Sequence, residues 1–171
     1  MRFIVPAFAL LLLAACGDGG GSSTSSTAST APTTTATTAS SDDHAEQQER
    51  VAALPAPYNE ANYASGMEHF RECRACHTIE PNGGNRAGPN LHGIFGRAVA
   101  STPNFNYSAA LRGSGLTWDA ATLDRWITKP GDVVPNTYMA FRGFNDERVR
   151  RDVIAYMMIE SGAAPDSESE D

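Results

Sequence analysis

Cys73, Arg74, Ala75, Cys76 and His77 put two thiols three residues apart, with an imidazole directly after the second. A thiol can add to a vinyl group as a thioether, and an imidazole nitrogen can ligate iron. C-x-x-C-H is therefore the spacing for covalent attachment of a c-type haem. Two other chemistries use part of the pattern. A zinc site would want further Cys or His ligands nearby. A redox C-x-x-C would want a βαβ setting, which the surrounding sequence lacks.

The elements that must position this pentapeptide are helical. Residues 60–72 carry Tyr63, Met67 and Phe70 along one stripe, with Asn59 as N-cap, and run directly into Cys73. A loop rich in Gly, Asn and Pro follows over 81–96. A helical turn is expected at 108–112. Thr117 is expected to cap a helix running to Thr128, with Leu123, Trp126 and Ile127 facing inward and Pro130 stopping it. Residues 131–144 form a loop that holds Pro135 and Met139. Asn145 is expected to cap a last helix, with Asp146 and Glu147 in its first turn. Val149, Val153, Tyr156 and Met157 form its apolar face, and Gly162 stops it. No stretch alternates with period two over a useful length. The pattern predicts an all-α domain of about four to five helices joined by long loops. Loops of that length are unusual in a compact helical domain, and a large group for them to wrap would account for them.

The 171 residues, 41% hydrophobic, suit one small domain with appendages. The formal net charge of −7 is segregated: residues 60–162 hold 11 basic and 11 acidic side chains, and the excess acid lies in the flanks. The domain's balanced charge asks for no nucleic-acid partner. At the N-terminus, Arg2 precedes an apolar run over 3–13, too short to cross a bilayer comfortably, which reads as a signal segment over 1–15. It ends in Leu13-Ala14-Ala15-Cys16, which resembles the lipobox of bacterial lipoproteins. There the Cys becomes the lipid-bearing N-terminus, and this explains an otherwise odd third cysteine. Residues 16–58 read as the lipid-attached Cys16 and a flexible linker, almost wholly Gly, Ser, Thr and Ala over 17–41. Residues 42–54 are polar and could form a short helix ended by Pro55 and Pro57. The domain spans 59–162, and 163–171 is an acidic tail.

Six motifs in order resemble those of class I c-type cytochromes, the mitochondrial cytochrome c type and its bacterial relatives, over about residues 64–161. They are Gly66 to Phe70 with the Cys73–Thr78 segment, Gly88-Pro89-Asn90-Leu91-His92-Gly93-Ile94-Phe95-Gly96-Arg97, Phe105-Asn106-Tyr107-Ser108, Leu116-Thr117-Trp118, Pro135-Asn136-Thr137-Tyr138-Met139, and Asp152 to Tyr156. The resemblance implies the small cytochrome c fold around one haem c, bound covalently through Cys73 and Cys76. His77 is then the proximal iron ligand and Met139 the distal one. Pro89 accepts from the other His77 nitrogen. Arg97, Tyr107 and Trp118 hold a propionate, and Thr137 bonds near the methionine. Gly66 and Phe70 cross the last helix at Val153 and Tyr156. Met67, Met157 and Met158 lie on helical stripes and read as packing or surface residues. His92 is a weaker rival for the iron.

Two departures from the family matter. Trp126 stands where many members carry a Tyr near the methionine, and Leu111 where many carry an Asn of an internal water network. Both imply a drier pocket and a shifted potential. Lys129 is the only lysine, so docking through a lysine ring does not carry over. A site closed by His and Met leaves no position for substrate, so the resemblance implies a one-electron carrier and no enzyme. Membrane redox complexes, from a cytochrome bc complex to a terminal oxidase, are the expected partners. The domain is expected to be monomeric, on the periplasmic side of a bacterial membrane and held to the bilayer by Cys16. The alternative, a peroxidase-like haem enzyme or a sensor module, needs a displaceable sixth ligand.

Overall fold

A computed structural model of the chain describes residues 39–162. The signal segment at 1–15, Cys16, the linker up to residue 38 and the tail at 163–171 lie outside the described residues. Among the described residues there are six α-helices and one 3-10 turn, and no strand. The all-α expectation holds.

α1, Ala39–Ala52, falls inside the stretch assigned to the linker. Its sequence is polar, yet Val51 is fully buried. The Gln48 side chain donates to the Ala61 carbonyl at 2.9 Å and accepts from the Tyr63 amide at 2.8 Å. Arg50 donates to the carbonyl of Ile159 at 3.1 Å. This part of the chain is therefore held on the domain by one apolar anchor and three bonds to backbone.

The 3-10 turn Tyr58–Glu60 contains Asn59, so the expected cap is displaced by three residues. Asn62, in extended backbone, accepts from the Ser65 amide at 2.8 Å and starts α2, Tyr63–Arg74. The proline-flanked turn and the grip of Gln48 on Ala61 and Tyr63 keep the chain out of helix until Asn62.

α3, Ala109–Arg112, starts at the expected turn and is capped by Ser108. α4, Ala120–Thr128, is capped by Asp119, which accepts from the Thr122 amide at 2.6 Å. The expected cap, Thr117, is paired instead with Ala98 in an isolated antiparallel bridge, so the backbone stays extended for two more residues. Pro130 ends α4 as expected and opens the one-turn α5, Pro130–Val133, from its first position, where a missing N–H costs nothing. α6, Glu147–Glu160, is capped by Asp146 rather than Asn145. Gly162 follows the Ser161 C-cap at φ +71°, the left-handed stop expected there.

The core is organised on the crossing of α2 and α6. Phe70 and Tyr156 pack with ring centroids 5.1 Å apart, and Tyr156 meets Tyr63 at 5.3 Å. Phe70, Val153 and Ile154 are fully buried. Each such side chain stabilises the fold by roughly 1.5–3 kcal/mol. α4 also packs on α6. The core therefore fixes the last turn of α2, from which the pentapeptide leaves, and α4, which precedes the Met139 loop.

Candidate functional site

The Cys73 carbonyl accepts from the amides of both Cys76 and His77, at 3.0 and 2.9 Å. The pentapeptide is thus a tight turn wound onto the end of α2. Cys73 is partly buried and Cys76 exposed. Burial, reinforced by the neighbouring Glu72 charge, pushes the Cys73 thiol up to about 12. That favours the neutral thiol of Cys73 over its thiolate. A thioether carries no charge and suffers no such penalty. No cluster of three or more His, Cys, Asp or Glu side chains able to hold a metal ion occurs among the described residues. The donor set at 73–77 fits haem attachment, and no further ligand cluster of the kind a zinc site wants stands among the described residues.

His77 is oriented from its far side. Its Nδ1 lies 2.7 Å from the Pro89 carbonyl oxygen, and since a carbonyl only accepts, Nδ1 carries the proton. Nε2 then keeps its lone pair. Burial lowers the imidazole pKa, against the opposing pull of the carbonyl, and favours the neutral ring that can ligate a metal. The approach is close: a Cβ on Gly88 would lie 2.6 Å from both ring nitrogens, so no other residue fits beside the ring. The Gly88 amide donates to the Cys76 carbonyl and the Leu91 amide to the Thr78 carbonyl, each at 2.8 Å. The 88–91 segment is thereby fastened alongside 76–78.

Arg97 is tied to the same loop. Its Nη1 donates to the His92 carbonyl at 2.9 Å and its Nη2 to that of Asn90 at 3.2 Å. Its Nε is buried without a partner. A half-buried guanidinium with an unused N–H is suited to a carboxylate such as a haem propionate. Tyr107 is buried edge-on to Phe105, at 4.8 Å, and lies near enough to Arg97 to influence its charge. The Trp118 amide donates to the Arg97 carbonyl at 2.9 Å, which sets the two residues on adjoining segments. His92, the rival, packs against Gly162 beyond the end of α6, and its Nδ1 is buried without a partner.

On the other side, Met139 sits in the loop after α5. Its amide lies 3.3 Å from the Thr137 hydroxyl oxygen, which accepts. Its sulfur accepts from the indole N–H of Trp126 at 3.1 Å. Trp126 is buried and meets Trp118 edge-on at 5.3 Å. A continuous run of contacts therefore joins His77, Pro89, Asn90, Arg97, Trp118, Trp126 and Met139. Reading Trp126 only as a drying substitution misses the donor it keeps for the sulfur. Leu111 is buried and has no such donor.

Spacing did not reveal Asp124, Arg150, Glu72 or Arg142. Arg150 bonds Asp124 and two loop carbonyls, and Arg142 pairs with Glu72 at 3.3 Å across 70 residues of chain. Charged side chains look like solvated ones until the fold pairs them.

No protein-family model matches the chain. It is 39% identical over 105 residues to the cytochrome c2 of Rhodomicrobium vannielii, covering 61% of this chain and 84% of that one. It is 36% identical over 106 residues to the cytochrome c of Kluyveromyces lactis, covering 61% and 96%. Among solved structures, cytochrome cH from Methylobacterium extorquens superposes with a TM-score of 0.51 at 41% identity, over 56% of this chain and 95% of that one. With the attachment turn, the oriented histidine and the methionine loop, these likenesses make the chain a member of the class I c-type cytochromes, electron carriers that hold one haem c covalently through two cysteines.

Proposed function

We propose that this cytochrome is a membrane-tethered one-electron carrier with Cys73 and Cys76 as the attachment thiols and His77 and Met139 as the iron ligands. When bound, haem c supplies a one-electron ferric–ferrous couple. The chain supplies the rest. Pro89 keeps Nε2 of His77 free and aimed. Trp126 and Thr137 orient Met139, and Arg97, Tyr107 and Trp118 offer donors to the propionates. The observation that carries this reading is the Met139 sulfur, held by a buried indole N–H in a loop rather than along a helical stripe. A thioether is a soft, neutral donor that favours ferrous iron and raises the potential. Met139→His in the haem-loaded full chain should lower the midpoint potential by on the order of hundreds of mV. An unchanged midpoint contradicts the assignment.

The tether rests on the signal-like 1–15 and Cys16. No helix among the described residues is long and apolar enough to cross a membrane; a lipid on Cys16 is the anchor proposed. Substituting Cys16 by Ser should release the protein from membranes. The periplasmic side of a bacterial membrane follows from export, and a cytochrome bc complex and a terminal oxidase are the proposed donor and acceptor. Lys129, the one lysine, pairs with Asp132 at 2.9 Å, and Arg142, three residues after Met139, pairs with Glu72. Tethering keeps such a carrier close to its partners without long-range charge attraction. Turnover of the anchored form should therefore depend weakly on ionic strength.

A further inference from the structure

The loop that carries Met139 is closed by a neck, and one partly buried cation bonds across it. At the neck the Phe144 amide donates to the Ile127 carbonyl at 2.9 Å. Gly143, at φ +91°, lies so close to α4 that a Cβ there would be 2.8 Å from the Thr128 carbonyl carbon. Phe144 is buried. Arg150, on the first turns of α6, reaches back over this point. Its Nε donates to the Asp124 carboxylate of α4 at 2.8 Å. Its Nη1 donates to the carbonyls of Phe144 and Asn145, each at 3.1 Å. The Arg150 side chain is only 12% exposed. Bonds from a guanidinium are stronger than neutral ones, and the planar fork lets one side chain hold several acceptors at fixed angles.

The partners of Arg150 define what it does. Asp124 stands two residues before Trp126, whose indole holds the Met139 sulfur, and Ile127 follows Trp126 directly. The last turns of α4 thus touch both the neck of the loop and its methionine. We propose that Arg150 is a positioning residue for the sixth iron ligand: by bonding Asp124, Phe144 and Asn145 it holds the neck shut against α4, and so keeps the Met139 sulfur where Trp126 presents it. This rests on Met139 being the ligand. The Glu72–Arg142 pair is the weaker tie, because the Arg142 side chain is 80% exposed, and a pair in water contributes little.

The test is competition for the sixth position, with imidazole as the probe on the oxidised, haem-loaded full chain. Imidazole binds only when the methionine is off. Its apparent Kd therefore varies inversely with the population with an open neck. Arg150→Gln should lower that Kd by about tenfold or more, with earlier loss of the sulfur-to-iron charge-transfer band. Val51→Ala, which weakens the core from α1 without touching the loop, should leave the Kd unchanged. The proposal is overturned if Arg150→Gln binds imidazole like the wild type, or if Val51→Ala shifts the Kd as far. Should Arg150→Gln fail to fold, Arg150→Lys decides. Lysine keeps the charge but not the fork, so a several-fold lower Kd supports the clamp and a wild-type Kd overturns it. A wild-type protein with no charge-transfer band would overturn the ligation reading itself. A wild-type band with an unmoved Arg150 variant would overturn the clamp alone.

Discussion

Gly66 of α2 lies directly against the backbone of Asp152 of α6. A Cβ on Gly66 would be 2.8 Å from both the Asp152 carbonyl carbon and the Tyr156 Cβ, and would overlap the carbonyl oxygen. The two helices can therefore cross only through a residue with no side chain. The Asp152 carboxylate reinforces the crossing by accepting from the Asn62 amide at 3.0 Å.

Gly66→Ala should destabilise the domain by about 3 kcal/mol or more, because the obstruction is backbone and cannot rotate away. Chemical denaturation of the haem-loaded protein measures it. A loss near zero would mean that the helices separate at little cost, and the crossing would not be what positions the pentapeptide.

Val51 is fully buried, although the composition around it reads as linker. Val51→Ala should cost about 1–3 kcal/mol of stability and leave the visible spectrum unchanged. Gln48→Ala should act in the same direction, since it leaves the Ala61 carbonyl and the Tyr63 amide without their partner. Equal stability of the wild type and both variants in denaturant would show that α1 contributes nothing to the domain.

Trp126→Phe removes the N–H that the Met139 sulfur accepts. Without it the sulfur is a stronger electron donor and favours ferric iron, so the potential falls. A hydrogen bond worth about 1 kcal/mol corresponds to about 40 mV for one electron. Trp126→Tyr, which can offer a hydroxyl, should recover part of the loss. Protein-film voltammetry of the two variants checks both sign and order, and a rise with Phe contradicts the argument.

Asp119 caps α4 through the Thr122 amide, and this bond, above all other influences, holds its carboxyl below the usual carboxylate range. A carboxylate with a depressed folded pKa contributes stability above its unfolded value, about 3.9, and loses it as pH falls through the folded pKa. Asp119→Ala should cost about 1 kcal/mol at neutral pH, and the difference from wild type should narrow only in that acid window. A gap that persisted unchanged into acid would mean that capping by the carboxylate is not its source.

The attachment turn was legible because the chemistry prescribes residue types at short, fixed spacing, whereas Met139, 62 residues beyond His77, was singled out only through the family resemblance. The caps were legible only to within one to three residues. Asn59 and Asn62, Thr117 and Asp119, and Asn145 and Asp146 are each two competent caps close together. Long-range partners choose between them: Gln48 with Ala61 and Tyr63 in the first case, and Ala98 with Thr117 in the second. A short helix over 42–54 was legible from composition and its closing prolines, but the docking of α1 was not, because it depends on a single apolar residue and on bonds to backbone, neither of which leaves a periodic stripe. Arg150 was hidden for a related reason. Its partners are one carboxylate and two carbonyls, and carbonyls have no sequence signature.

The most direct measurement is the optical spectrum of the purified, haem-loaded full chain in both redox states. A low-spin thioether haem is expected in each, with a sulfur-to-iron charge-transfer band when oxidised that disappears in Met139→His. A high-spin oxidised spectrum without that band would contradict the His77–Met139 site, and with it the reading of this chain as a closed-site electron carrier.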